Sequence, residues 1–376
     1  MISRNIFMIK TPLLYKLSSL LIIILFAGFS PKPNNQVRAM YATVWSVSNA
    51  EDIDALLESA HKYNFNQIFF QTRYRGDALY QANKIDSTYK NTEHLCYTVK
   101  DSTFDPLDYA IKKAKPLGIE IHAWVTVFVV TPHDLWKIKP DHIYYEHPEW
   151  LTYNRAGQAM KNDVAEGAFF DPGVPAARQY FKNVVSDIVS NYAIDGIQFD
   201  YIRFPDSTYG HNPISLNEYE IVKDQISWPK WKQQQLSQFV NELYIQIKSI
   251  NPKVQVSAAV IAKRDKALNK YSQNWPLWLS EKYIDKVYLM AYNTSNTSFT
   301  KLIENAAKVK EQKKMVIVLR AWPPADSNYP ASKINEKIKI TKKHHFKNFG
   351  FYSYSGMRDN SYFPYIHYPW QKRENN

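Results

Sequence analysis

The segment Asp195-Gly196-Ile197-Gln198-Phe199-Asp200-Tyr201-Ile202-Arg203-Phe204-Pro205 decides how the chain is read. Side chains alternate between the two faces of a strand with period two. Ile197, Phe199 and Tyr201 therefore share one face, and Gly196, Gln198 and Asp200 the other. The apolar face calls for a cover of helices, while the other carries a carboxylate to the C-terminal end of a buried strand. Asp195 opens the segment with the opposite parity and reads as a turn residue beside Gly196. Working outward, the same two-faced pattern recurs. Ile68 and Phe70 oppose Gln71 and Arg73; Ile121, Ala123 and Val125 oppose His122 and Trp124; Val287, Leu289 and Ala291 oppose Tyr288, Met290 and Tyr292; Ile317 and Leu319 oppose Arg320 and Trp322. Strand-like runs at 40–47, 66–73, 119–130, 194–201, 254–262, 284–292, 315–320 and 347–354 make a set of eight. Helical periodicity at 50–62, 105–116, 175–192, 231–250, 300–312 and 334–342 falls between them. Strands alternating with helices imply a parallel sheet, and eight such units imply a closed α/β barrel of the (β/α)8 TIM type. The expected domain is 40–376, with long loop insertions after strand three (131–170) and strand four (206–228).

Composition agrees with one large globular domain. Of 376 residues, 45% are hydrophobic and 22% charged, which excludes disorder as the whole answer. The 10 glycines include no G-x-G pair, so the glycine-rich dinucleotide fingerprint and the phosphate-cradling loop are absent. One cysteine, Cys96, makes neither an internal disulfide nor a thiolate zinc cluster. No H-E-x-x-H or similar spacing calls for a metal, no G-x-S-x-G elbow calls for an esterase, and no cofactor is expected. The net charge is +12, of which five charges lie in residues 1–39, leaving +7 spread over the remainder. That excess favours an acidic partner, but it is not gathered along one helix, and no nucleic-acid module is recognisable.

The first 39 residues stand apart. Arg4, Lys10 and Lys16 precede the apolar run 17–29, which is short for a bilayer span. A basic region followed by a short apolar one is the pattern of a secretory signal. Residues 1–39 are therefore expected to be a signal peptide, with a cut near Gly28-Phe29-Ser30 or after Val37-Arg38-Ala39, or an uncleaved membrane anchor with linker. Export to the periplasm, the cell envelope or the medium follows.

Barrel enzymes place their chemistry at the C-terminal ends of the strands, and the inward-facing residues there form the candidate site. Asp200 is suited to act as general acid, base or nucleophile. Glycoside hydrolysis uses two carboxyl groups flanking the scissile bond. Asp77, just past strand two, is the first choice for the second, with Asp171 and Asp206 as rivals; Glu120 begins its strand and faces the other end. Gln71, Arg73, Arg203 and Arg320 are candidates to hold hydroxyl or anionic groups, and Arg203 alternatively pairs with Asp200. Asn293 offers an amide. Trp124, Tyr292, Trp322 and Tyr352, with Trp45 and Tyr354, offer aromatic faces on which sugar rings stack. His122 reads as a core histidine bonded to a neighbour.

Several segments together resemble the glycosyl hydrolase-like family 10, a group of exported bacterial (β/α)8 proteins. They are Ala42-Thr43-Val44-Trp45, the run from Gln67 to Tyr80 that contains Gln71-Thr72-Arg73-Tyr74-Arg75-Gly76-Asp77, Phe104-Asp105-Pro106-Leu107, His122-Ala123-Trp124, Asp171-Pro172-Gly173-Val174-Pro175 and Asp195 to Tyr201. The resemblance implies a barrel and glycoside hydrolysis, and for some members action on bacterial cell-wall glycan strands stripped of peptides. It supports Asp200 as the leading acid. Many members carry a second Asp directly after that one, where this chain has Tyr201, whose parity suggests a helix-side or rim position. The expected activity is hydrolysis of a polysaccharide, with peptidoglycan glycan strands favoured; the alternative is a carbohydrate-binding barrel without catalysis.

Overall fold

The computed structural model describes residues 36–371 apart from residue 326. The expected leader lies outside the described residues up to position 35. Eight parallel strands form the barrel: β1 (Arg38–Ala42), β2 (Gln67–Tyr74), β3 (Glu120–Thr126), β4 (Gly196–Asp200), β5 (Gln255–Ile261), β6 (Lys286–Ala291), β7 (Met315–Arg320) and β8 (Phe349–Tyr352). Each pairs with the next, and β1 pairs with both β2 and β8, so the sheet closes on itself. A two-residue strand, Asp77–Ala78, folds back antiparallel on the end of β2.

Strand periodicity divides the apolar residues into two cores. The outer one lies between sheet and helices and takes Ile68, Phe70, Ile121, Val125, Ile197, Phe199, Val287, Leu289, Ile317 and Leu319. The helices meet it with their own apolar stripes. In Ala50–Lys62, Ile53, Leu56, Leu57 and Ala60 are buried, and the Asn49 side chain caps the first turn by accepting from the Asp52 amide at 2.8 Å. In Pro175–Asn191, proline at the first turn costs no helical hydrogen bond, and Phe181, Val184, Val185 and Ile188 face the sheet. The inner core fills the barrel with Ala39, Tyr41, Phe69, Trp124, Tyr288, Val316 and Val318. Its polar members are tied locally. Tyr288 donates to Gln67, and Gln67 and His122 bond Glu120 at the N-terminal end. His122 is thus the expected core histidine. Gly196 is required beside it, because a Cβ there would fall within the imidazole and 3.0 Å from the Gln255 carbonyl oxygen.

Several boundaries differ from the sequence reading, among them the helix expected at 300–312, which runs over Asn296–Ala307; two of the differences bear on the site. β1 begins at Arg38 and ends at Ala42, after which Val44–Ser46 curls into a 3-10 turn and the Val44 amide donates to the Gln71 side chain at 3.0 Å. The candidate cleavage tripeptide Val37-Arg38-Ala39 is therefore part of the barrel, with Val37 and Ala39 buried. β3 leaves the sheet at Thr126, and the apolar residues that follow pair with the end of the insertion, through a bridge between Val129 and Phe169 and the Val130 amide on the Ala168 carbonyl at 2.9 Å. The 131–170 insertion therefore packs back onto the barrel mouth. Among the described residues no helix is long and apolar enough to cross a membrane.

Candidate active site

The C-terminal ends of the strands open into a cleft of about 910 Å³. Asp200 lies in its wall, 9% exposed, at the last position of β4. One carboxylate oxygen accepts the Tyr201 amide at 2.7 Å and the other the Trp124 indole N–H at 3.2 Å. Burial raises its pKa to about 6; Glu166 adds to the rise, while the Tyr201 amide, Arg203 and Trp124 oppose it. Tyr201 has a left-handed backbone, φ 51°, which breaks the strand alternation and brings it to the cleft.

Gln71, Trp124, Arg203, Tyr292, Asn293, Trp322 and Tyr352 all line this cleft, as does Trp45. Tyr292, Trp322 and Tyr352 pack as a trio with ring centroids 5.1–5.7 Å apart, and Trp124 meets Tyr352 at 5.9 Å. Burial keeps the Tyr292 and Tyr352 phenols protonated; that of Tyr352 is pushed up to about 12. Arg203 does not bond Asp200. Its guanidinium donates to the Phe204 and Pro205 carbonyls, stacks on Tyr271 and Tyr201, and meets Glu166 at 3.6 Å.

The structure corrects the placement of three expected residues. Arg73 was expected to point inward. Gln71 pairs with Trp124, but Arg73 pairs with Val125, so Thr72 is an extra residue in a bulge. One extra residue reverses the parity, and Arg73 turns to the helix side. There it is buried, bonds Glu93 at 2.6 Å and the Thr126 and Val127 carbonyls, and lies over the Phe181 ring. Asp77 follows the turn Arg75-Gly76, both with positive φ, which carries it away from the mouth. It is buried outside the cleft lining, 3.7 Å from His142, and burial together with nearby Glu93 raises its pKa to about 8. Arg320 is on the inward face of β7 but folds back over the Trp322 ring and donates to the Trp322 carbonyl, outside the cleft lining. The rival carboxylates are structural in placement. Asp171 is sealed and accepts from Thr152, Gly173 and Ser215; Asp206 accepts from Thr208 in a turn. Tyr354, too, is buried away from the cleft.

Two further carboxylates line the cleft with Asp200: Asp265, after β5, and Glu166, from the end of the 131–170 insertion; of the two, Glu166 is the one whose charge acts on Asp200. Sequence reasoning passed it over because no periodicity orients an insertion. Tyr41 lies within the strand run at 40–47 but not at its expected end; β1 ends at Ala42, which puts Tyr41 at the cleft, and its inward parity with Ala39 is the available signal. Tyr41 reaches the cleft floor, and its hydroxyl and both amide atoms of Gln198, one turn of the pleat below Asp200, are buried without a protein partner. Also missed was a basic stretch of the cleft lining, made by Lys263, Arg264 and Lys266 after β5, with Asp265 among them, and by Lys301. Among the described residues these four make no ion pair within the chain. No group of three or more His, Cys, Asp or Glu among the described residues is arranged to hold a metal ion.

The arrangement is a concave aromatic site with a buried acid at its wall. The glycoside hydrolase domain of PgaB (BpsB) from Bordetella bronchiseptica superposes with a TM-score of 0.64 at 14% identity, covering 88% of this chain and 97% of that one. Alpha-L-fucosidase isoenzyme 2 from Paenibacillus thiaminolyticus gives 0.62 at 12% identity, covering 87% and 48%. At that identity the likeness is one of fold. In sequence, the chain is 27% identical over 206 residues to glycosyl hydrolase YngK of Bacillus subtilis (strain 168), covering 53% of this chain and 38% of that protein. It is 24% identical over 214 residues to glycosyl hydrolase DigH of Escherichia coli (strain K12), covering 53% and 45%. The match thus spans less than half the length of either relative. The family model for glycosyl hydrolase-like 10 matches residues 36–344, from just before β1 to the end of the helix that precedes β8, and the chain belongs to that family.

Proposed function

We propose that this chain is an exported glycoside hydrolase of the cell envelope, with peptidoglycan glycan strands as its favoured substrate. The observation that carries the reading is Asp200: a carboxyl group at a barrel-strand end, in an aromatic-lined cleft, with a pKa raised to about 6. At mildly acidic pH such a group holds a proton for the glycosidic oxygen, as a general acid must. The indole of Trp124 and the amide of Tyr201 fix its orientation and stabilise the carboxylate left after transfer. Glu166 is the second carboxylate in this reading, replacing Asp77: it shares the cleft, it is partly exposed where water enters, and Arg203 steadies it. Its role is to receive the developing positive charge at the sugar carbon, either directly or through an activated water. Tyr292, Trp322 and Tyr352 supply stacking faces, and Asn293 and Gln71 orient hydroxyl groups.

The substrate class rests on the basic wall. Lys263, Arg264, Lys266 and Lys301 line the cleft with a single acid among them, Asp265, and make no ion pair among the described residues; that net positive wall suits a glycan bearing carboxylates, as the lactyl groups of peptide-free wall strands do. Export rests on the basic-then-apolar leader at residues 1–39, acting as a cleaved signal or as a membrane anchor. The test is incubation of the purified protein with peptide-free glycan strands and with an uncharged β-linked glycan, followed by mass analysis of the products. New reducing ends from the acidic strands, suppressed by raised salt, are expected; intact polymers in both incubations contradict the proposal.

A second reading, a carbohydrate-binding barrel without turnover, draws on one observation: Glu166 sits on an insertion rather than on a barrel strand. Calorimetric binding of the strands by wild-type protein with no new reducing ends would favour it.

A further inference from the structure

Of the ten tryptophans, eight are buried or partly buried. Two are exposed, Trp45 at 56% and Trp136 at 81%; Trp45 lines the cleft and Trp136 lies beyond its lining. They are joined by a chain of short contacts that starts in the cleft. Trp45 lines it and lies 6.0 Å from Tyr74, another lining residue. On its other side Trp45 meets Tyr97 at 6.1 Å between ring centroids. The Lys137 ammonium stands 5.8 Å from the Tyr97 ring and 5.4 Å from the Trp136 ring. Asp134 fixes that ammonium at 2.7 Å. Trp136 sits on the short 3-10 turn Leu135–Lys137, and the neighbouring Ile138 is buried, so the turn is anchored while the indole projects into water.

Leaving large aromatic faces in water forgoes their burial energy, and an exposed apolar strip continuous with a binding cleft marks a contact surface. The flat faces are interleaved with one fixed ammonium, not with a closed apolar patch, which fits a ligand that is itself amphipathic along its length. A sugar chain has that character: C–H faces for the rings and hydroxyl or carboxylate groups for the cation.

From this we infer that Trp45, Tyr97, Lys137 and Trp136 form an extension of the cleft that binds a further stretch of the same polysaccharide chain, so that the protein grips long strands more tightly than short fragments. The inference rests on the glycan reading of the cleft and adds to it that the substrate is a polymer held well beyond the bond under attack. It also assigns a purpose to the 131–170 insertion, which carries Trp136 and Lys137 at one end and Glu166 at the other.

The test uses full-length protein carrying Asp200→Asn, so that binding is read without turnover. Affinity is measured for peptide-free peptidoglycan glycan strands and for a tetrasaccharide cut from them. The parent is expected to prefer the strands. Adding Trp136→Ala is expected to lower the ratio of strand to tetrasaccharide affinity about tenfold, and Trp136→Phe to restore most of it. Because Trp136 is so exposed, its replacement removes no packing, and circular dichroism and melting temperature should match the parent. If the tetrasaccharide binds but the ratio is the same in parent and Trp136→Ala, the extension does not exist. If the parent binds neither probe, the glycan reading of the cleft itself fails, and the inference falls with it.

Discussion

Asp200 is costly to the fold in a way that can be measured. Its pKa is raised from 3.8 to about 6 because burial disfavours the ionised form. The folded state therefore binds more protons than the unfolded chain between those values. Stability is unaffected below about pH 3.8, falls as pH rises toward 6, and stays lowered above it by about 3 kcal/mol. Asp200→Asn removes the titration while keeping most of the shape. Urea unfolding should find the variant more stable than wild type at pH 7.5 and about equal to it at pH 4. Equal stability at both values would mean that the carboxylate is not desolvated. Asp200 was legible from the sequence because two rules coincide there: strand parity and position at the strand end. Glu166 was not, since its approach to Asp200 is made by tertiary packing of an insertion and by Arg203.

At the scale of elements, the bulge at Thr72 separates what periodicity can predict from what it cannot. Alternation placed Gln71 and Trp124 in the cleft, and a single unpaired residue then reversed Arg73. Nothing in the run Gln71-Thr72-Arg73-Tyr74 signals the bulge. The reversal changes the expected effect of mutation. Arg73 and Glu93 are both buried and paired at 2.6 Å, so Arg73→Ala removes the counter-charge of Glu93 and leaves it only the Tyr180 hydroxyl as a donor. A loss of about 3–5 kcal/mol in chemical unfolding is expected, with the double replacement Arg73→Met, Glu93→Gln recovering much of it. If Arg73→Ala instead left stability intact and raised KM, the guanidinium would be serving the ligand. Most strand limits were legible to within about two residues, since alternation stops where the barrel stops; helix limits were not uniformly so, because apolar spacing continues past a helix end, and the helix read at 300–312 runs from Asn296 to Ala307.

Over the whole molecule, the eight-unit alternation was enough to foresee closure, and closure is what gathers residues from all parts of the chain at one mouth. Tyr41 from β1, Asp200 from β4, Tyr292 after β6 and Tyr352 from β8 are far apart in sequence and line one cleft. Alternation offers no comparable means of placing the 131–170 segment, whose register on the barrel is set by contacts with residues beyond β3. The mixed lining of the mouth, with lysines and an arginine beside aromatic rings, likewise emerges only on folding. Hydrolysis at this cleft depends on Asp200 donating its proton to a glycosidic oxygen. The direct measurement is the initial rate of reducing-end release from peptide-free glycan strands by wild type, Asp200→Asn and Asp77→Asn between pH 4 and 8. Expected are a wild-type rate that declines as pH passes about 6, a loss of roughly 10²–10⁴-fold in Asp200→Asn, and an Asp77→Asn protein that, once folded, keeps most of its rate. Turnover by Asp200→Asn at the wild-type rate, with the same pH profile, would contradict that role for Asp200.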